Sequence, residues 1–203
     1  MQVSAEGAYI VVEPEENIDA RLVERARMGD EKAFAALYNR YRIEMYKYLA
    51  GLVTIEEAED LLQETFWKAY KGLAGLQEGE KFQGWLYRIA RNCAYDYLRR
   101  RRRYAEHVVR ETDESREQAA SDDPLEYLAE QELLRQALAD VPMKQRECFL
   151  LHLGGLPVRE IALIVGLSES SVPVYQGKAR RCLYKRYQDL KRQADGTEKG
   201  ESG

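Results

Sequence analysis

The chain has 203 residues, of which 45% are hydrophobic and 33% charged, with five prolines and a formal net charge of -4. That length suits one ordinary domain or two small ones, and the balance suits a soluble helical protein rather than a disordered one. No apolar run approaches the roughly 18 residues of a membrane helix, and the opening MQVSAEGAYIVVEPEEN lacks the basic and apolar regions of a secretory signal.

Helical periodicity dominates the chain and predicts an all-α fold. Residues 1–19 read as a flexible lead-in. Asp30 is placed to cap a helix carrying Phe34, Leu37, Tyr38, Tyr41, Met45 and Tyr48 on one side. Thr54 and Glu57 form a T-x-x-E capping box, behind which Ala58, Leu61, Leu62, Thr65, Phe66 and Ala69 repeat at core spacing. The glycine-rich interval GLAGLQEGEK separates that helix from FQGWLYRIARNCAYDYLRRRRR, an aromatic stretch ending in five arginines.

On a helical wheel of about 100° per residue, Leu86, Ile89, Ala90, Cys93 and Tyr97 share one face. Arg88, Arg91, Tyr95, Arg99 and Arg102 share the opposite one, with Trp85, Asn92 and Asp96 along a boundary. Guanidinium forks match phosphate oxygens, and aromatic rings stack on unpaired bases, so this ladder suits a nucleic acid. A merely solvated basic face is the plainer reading of the same pattern.

After Arg103 the composition turns polar and acidic, and residues 104–123 read as a flexible linker. Apolar periodicity resumes with Leu125, Leu128, Leu134, Ala137, Leu138 and Val141. Pro142 ends that helix or opens the next, and Gly154 and Gly155 stop the latter. In VREIALIVGLSESSVPVY one helix ends at Gly166 and another follows a short turn, the spacing of a helix-turn-helix or of any tight helical hairpin. Pro173 is costly inside a helix but tolerated in a first turn. The second helix is therefore expected to begin late, near Ser171. The result is two small helical domains, 20–103 and 124–190, joined by a flexible acidic linker and followed by a disordered tail, 191–203.

Cys93, Cys148 and Cys182 are widely spaced and form no C-x-x-C pair, so free thiols and no metal site are expected. His107 and His152 build no catalytic constellation with them, and neither an enzymatic role nor a cofactor is expected.

Together these segments resemble an extracytoplasmic-function (group 4) sigma factor of bacterial RNA polymerase. AEDLLQETFWKAYKGL and FQGWLYRIARNCAYDYLRR resemble the family's sigma-2 domain, and QRECFLLHLGGLPVREIALIVGLSESSV resembles sigma-4. The resemblance implies a cytoplasmic initiation factor, not inserted in membrane, that binds core polymerase and promoter DNA and is regulated by an anti-sigma factor. It assigns Asp60, Gln63, Glu64 and Trp67 to docking on core polymerase. It assigns the loop of about residues 72–81 to capture of a flipped base, and Lys81, Phe82, Trp85, Arg88, Arg91, Asn92, Tyr95 and Arg99 to the -10 element. For Phe82 and Trp85, core packing is an equal alternative. The linker is implied to run towards the polymerase active site. The recognition helix departs from the family's polar pattern. Ser170, Ser171, Val174, Lys178 and Arg181 are its candidates at the -35 element, read mainly through shape and backbone. A helix-turn-helix regulator that never enters polymerase, or a helical adaptor, accounts for part of the same pattern.

Overall fold

The computed structural model describes residues 15–76, 81–107 and 125–198, all of the regular structure among them helical. Four helices form a first unit: α1 (Glu15–Arg27), α2 (Glu31–Ala50), α3 (Ile55–Gly72) and α4 (Phe82–His107). Four more form a second: α5 (Leu125–Ala139), α6 (Met143–Leu153), α7 (Val158–Val165) and α8 (Ser171–Glu198). Among the described residues no helix is long and apolar enough to cross a membrane.

Local chemistry sets the helix ends. The Asp30 carboxylate accepts from the backbone N–H groups of Lys32 and Ala33, opening α2. At α3 the Thr54 hydroxyl accepts from Glu57 N–H while the Glu57 carboxylate accepts from Thr54 N–H, so the expected capping box is complete. Pro142 precedes α6, and Gly166, at φ +72°, closes α7 in the left-handed region that glycine enters without a Cβ penalty. The α8 helix begins at Ser171, which puts Pro173 in its first turn as expected; Ser171 itself is the first helical residue.

In the first unit, Leu37, Met45, Tyr48 and Leu49 of α2 meet Leu61 and Phe66 of α3 and Leu86, Ala90 and Cys93 of α4. The ring of Tyr48 meets that of Tyr87 edge-on at 5.1 Å. In the second unit α8 lies across α5 and α6. Arg146 supports the join by donating to the carbonyls of Ala139 and Val141.

Several expected boundaries move. Residues 15–19 belong to α1, where Asp19 accepts from Tyr41 and pairs with Arg40. The α4 helix runs on to His107, beyond the expected end at Arg103, because arginine and alanine are strong helix formers. The α8 helix also continues to Glu198, where a disordered tail was expected from 191. The remainder of the expected lead-in, linker and tail (1–14, 108–123 and 199–203) lies outside the described residues. Leu134, expected in the core, is about half exposed at 48%.

The two units touch along a seam marked by glycines. A Cβ on Gly51 would lie 2.6 Å from Leu150 Cδ1, and one on Gly154 would lie 2.8 Å from Tyr87 Cζ. Gln83 Nε2 donates to the Gly154 carbonyl at 2.9 Å, and Arg146 Nη1 to the Gly51 carbonyl at 3.4 Å.

Candidate nucleic-acid interface

The capping box sets the phase of α3, turning its apolar stripe inward and a polar face outward. Asp60 and Gln63 are exposed on that face, and Trp67 is 61% exposed, so its ring is a surface feature rather than core. Lys71 Nζ lies 4.7 Å over the Trp67 ring. Glu64 is half-buried, with Lys68 Nζ at 2.7 Å and Arg100 Nη2 at 4.0 Å.

Next to this face, Lys68, Gly72, Gly75, Trp85, Ile89, Asn92 and Asp96 line a shallow cleft of about 460 Å³. A Cβ on Gly72 would sit 3.4 Å from the Trp85 ring, so the missing side chain lets the indole lie against the backbone. Asn92 and Lys81 are exposed and Trp85 half-buried. Phe82 is different. It is 3% exposed and packs on Tyr41 and Trp85, so its place is the core, supporting Trp85 from behind.

The basic ladder of α4 is less uniform than the wheel predicts. Arg88 is half-buried. Arg91 Nε donates to Glu147 Oε1 at 2.7 Å, and the Tyr95 hydroxyl donates to Glu147 Oε2 at 2.7 Å. The Arg91 guanidinium stands 4.4 Å over the Tyr95 ring. Glu147 lies on α6 and is fully buried. Burial, and then the hydrogen bond to Glu147, push the Tyr95 phenol up to about 12. Arg99 is exposed beside Asp96, and Arg101 donates to Glu57 at 3.0 Å. The arginines of α4 thus divide. Arg91 turns to the second unit, Arg100 and Arg101 fold onto the acidic side of α3, and Arg99 faces solvent.

In the second unit, α7 and α8 meet across the turn at 166–170. Ile161, Ala162, Val165 and Val172 are buried at the join. Ser170, Val174, Lys178 and Arg181 stand at helical spacing on one exposed face, with Val174 52% exposed. Ser171 does not share their full exposure. Its hydroxyl is 2.7 Å from that of Ser168, which also lies 3.1 Å from that of Ser170, so it helps hold the turn. Cys93 and Cys148 are buried and Cys182 half-buried, all free; burial, with Glu147 adding to it, pushes the Cys148 thiol up to about 11. Among the described residues no cluster of His, Cys, Asp and Glu is placed to hold a metal.

Sequence reasoning missed Glu147. One signal was present: Met143 and Leu151, four residues to either side, place it on an apolar stripe, where an ionised carboxylate needs a partner.

Comparison with known proteins agrees with this arrangement. Sigma-70 region 2 matches residues 37–104 and sigma-70 region 4 matches residues 131–183. The ECF RNA polymerase sigma factor BldN of Streptomyces coelicolor is 35% identical over 170 residues, covering 80% of this chain and 63% of that protein. The ECF RNA polymerase sigma-E factor of Haemophilus influenzae is 40% identical over 84 residues, covering 41% of this chain and 44% of that protein. This chain therefore spans less than two thirds of the length of either relative. The fold matches that of the sigma factor RpoE from Bartonella quintana, solved in complex with the anti-sigma factor NepR. Its TM-score is 0.62 at 23% identity, covering 77% of this chain and 98% of that one. With both regions matched in order on one helical chain, the protein belongs to the sigma-70 family, among its extracytoplasmic-function sigma factors.

Proposed function

We propose that this chain is a transcription initiation factor that binds core RNA polymerase and directs it to a subset of promoters. The observation that carries the reading is the presence of both regions in order on one chain, each with a surface suited to its part. The first unit and its arginine tail, residues 20–103, take core polymerase and the -10 element. The second, 124–190, takes the -35 region. Residues 104–123 tether the two.

Asp60, Gln63, Glu64 and Trp67 form the polymerase-docking face. Trp85 and Asn92 line a cleft whose indole offers an unpaired base a stacking surface, offsetting the stacking lost when a duplex opens, and the exposed Lys81 serves the same strand. Arg88, Arg91, Tyr95 and Arg99 follow the backbone of the separated strand. Ser170, Val174, Lys178 and Arg181 face the -35 region, where Lys178 and Arg181 serve phosphates and Val174 meets a thymine methyl. Ser171 supports them by fixing the turn. The protein performs no catalysis itself and works in the bacterial cytoplasm. An anti-sigma factor, such as the one bound to the Bartonella protein, is its proposed regulator.

Run-off transcription tests this, with bacterial core polymerase, this protein and a pool of genomic fragments. An Arg88→Ala, Arg91→Ala, Arg99→Ala triple variant of wild-type helicity is run beside it. Specific transcripts are expected from the wild type and not from the variant. No transcripts, together with no binding to core polymerase, would overturn the reading. Salt-dependent DNA binding that survived such a result would make the chain a regulator acting outside polymerase.

A further inference from the structure

We infer that the start of α2 and Tyr70 of α3 form an aromatic cage for a cation, the arginine or lysine side chain of the protein that docks on α3. That this protein is core RNA polymerase rests on the proposed function; the chemistry of the cage does not. Glu31, Phe34, Ala35 and Tyr38 follow one another at i, i+3, i+4 and i+7, so they share one face of α2. Tyr70 stands across from them, and these residues line a groove of about 490 Å³. The rings of Phe34 and Tyr70 meet edge to face, centroids 5.0 Å apart and planes at 71°, as two walls of a corner. Tyr38 supplies a third ring, held by an edge contact of 4.7 Å to the buried Phe66. Ala35 brings only a methyl group to this face, which leaves the hollow between the larger side chains.

The lining selects a cation over a plain apolar group. Each ring face carries the negative side of its quadrupole, which attracts a positive charge. Glu31 adds a formal negative charge at the same groove. A neutral apolar occupant would cover that carboxylate without giving it a partner, which costs free energy. The neighbouring ring already stacks a cation, since Lys71 Nζ lies 4.7 Å over Trp67. Among the described residues no cation of the chain itself stacks on Phe34, Tyr38 or Tyr70.

The source of the cation follows from position and charge. Asp60, Gln63, Trp67 and Tyr70 are all exposed and succeed one another along α3 at steps of three and four, so the cage continues the proposed docking face. That face also carries Glu64, and a surface complementary to its carboxylates is basic. A basic side chain at the edge of such a surface reaches Tyr70 and Glu31 together.

Choline and 3,3-dimethylbutanol share a shape and differ in the positive charge, so the two probes isolate it. Each is titrated into the full-length protein and followed by NMR at the ring resonances of Tyr38. Choline is expected to bind about two- to fivefold more tightly than the alcohol, the span of an exposed cation–π contact. Tyr70→Leu removes a ring and keeps apolar bulk, whereas Ala35→Leu fills the hollow and keeps every ring and charge. Both are expected to abolish the preference, and Tyr70→Phe, which keeps the ring, to preserve it. Tyr184→Leu, at an exposed tyrosine of α8, should change nothing. Equal affinity for the two probes in the wild type overturns the cage, as does a preference that survives Ala35→Leu. If Tyr70→Leu fails to fold, Ala35→Leu decides alone.

The same variants are then bound to core polymerase. Tyr70→Leu and Glu31→Gln are each expected to weaken binding about two- to fivefold, and Tyr70→Phe to leave it unchanged. Wild-type affinity in a folded Tyr70→Leu protein overturns polymerase as the source of the cation. Failure of the sigma reading looks different: the wild type itself does not bind core polymerase, and the choline titration still decides the cage.

Discussion

The two helices proposed to meet DNA, α4 and α8, carry their contact residues in opposite circumstances. On α4 the candidates are interleaved with core, and two of them, Arg91 and Tyr95, are tied to Glu147 elsewhere in the chain. Val174, Lys178 and Arg181 of α8, with Ser170 just before it, stand exposed on one face. The contrast teaches that a basic stripe gives the place of an interface but not its availability. A helix proposed to support strand separation gains from being embedded, because its rings must hold position while a duplex unstacks. A helix proposed to lie on intact duplex needs no such anchorage.

The sharpest way to break this comparison is truncation. Leu86 is fully buried in the first unit, and Leu86→Ala is expected to cost about 2–5 kcal/mol in urea unfolding. Val174→Ala on α8 should stay within about 0.5 kcal/mol, since the residue is 52% exposed. Equal losses would mean that α8 is as deeply built in as α4.

A smaller effect lies in the salt dependence of DNA binding. Each lost phosphate contact should flatten the plot of log affinity against log salt by about 0.7 on a single strand and about 0.9 on duplex. Lys178→Ala is expected to flatten the duplex slope in full for the free protein. Arg91→Ala should leave the free protein's single-strand slope nearly unchanged and flatten it only in the polymerase complex, because Glu147 holds Arg91 beforehand. Equal flattening in both states would place Arg91 on the accessible side of the comparison.

What could be read from the sequence follows the same division. Asp30, the Thr54–Glu57 box, Gly166 and the late start forced by Pro173 were legible because each acts within a few residues of its own backbone. The inward stripe of α4 was legible because Leu86, Ala90 and Cys93 repeat with the helix. Tyr87, off that stripe, was not, since it is buried between Tyr48 of the first unit and Gly154 of the second. The partnership of Arg91 with Glu147, 56 residues apart, is invisible to any local pattern. Gly154 read as a helix stop, and with Gly51 it is also a point where the units approach. Charge and missing core residues suggested a linker from 104, but they do not oppose a helix, and α4 continues through His107.

Gly177 refines the picture of α8. A Cβ there meets Arg181 Nη1 at 3.9 Å, so the site is open. Gly177→Ala should raise thermal stability by about 0.5–1 kcal/mol through helix propensity. If the backbone at this position approaches DNA closely, the same change weakens -35 duplex binding in a gel-shift assay. Stabilisation with unchanged binding would leave Gly177 with no part in recognition.

The smallest effect concerns the anchor of the arginine tail. Burial pushes the Glu57 carboxyl up, but the hydrogen bonds from Tyr97 and Thr54 and the charge of Arg101 outweigh it and hold the group below its ordinary 4.5. A carboxyl depressed in the folded state contributes stability above its unfolded value, and that contribution fades as pH falls through the folded one. Wild type should therefore exceed Glu57→Gln in stability at pH 7, by under about 1 kcal/mol because the group is largely solvent-screened. The gap should shrink as pH drops below about 4.5, the value of an unshifted glutamate. Glutamine can still accept from Thr54 N–H, so the capping box persists in both proteins, and the pH-dependent part reports what the ionised carboxylate gains from Tyr97, Thr54 and Arg101 together. A gap that does not change with pH would mean that Arg101 gives α3 nothing. The end of α4 would then be as available to DNA as the exposed face of α8.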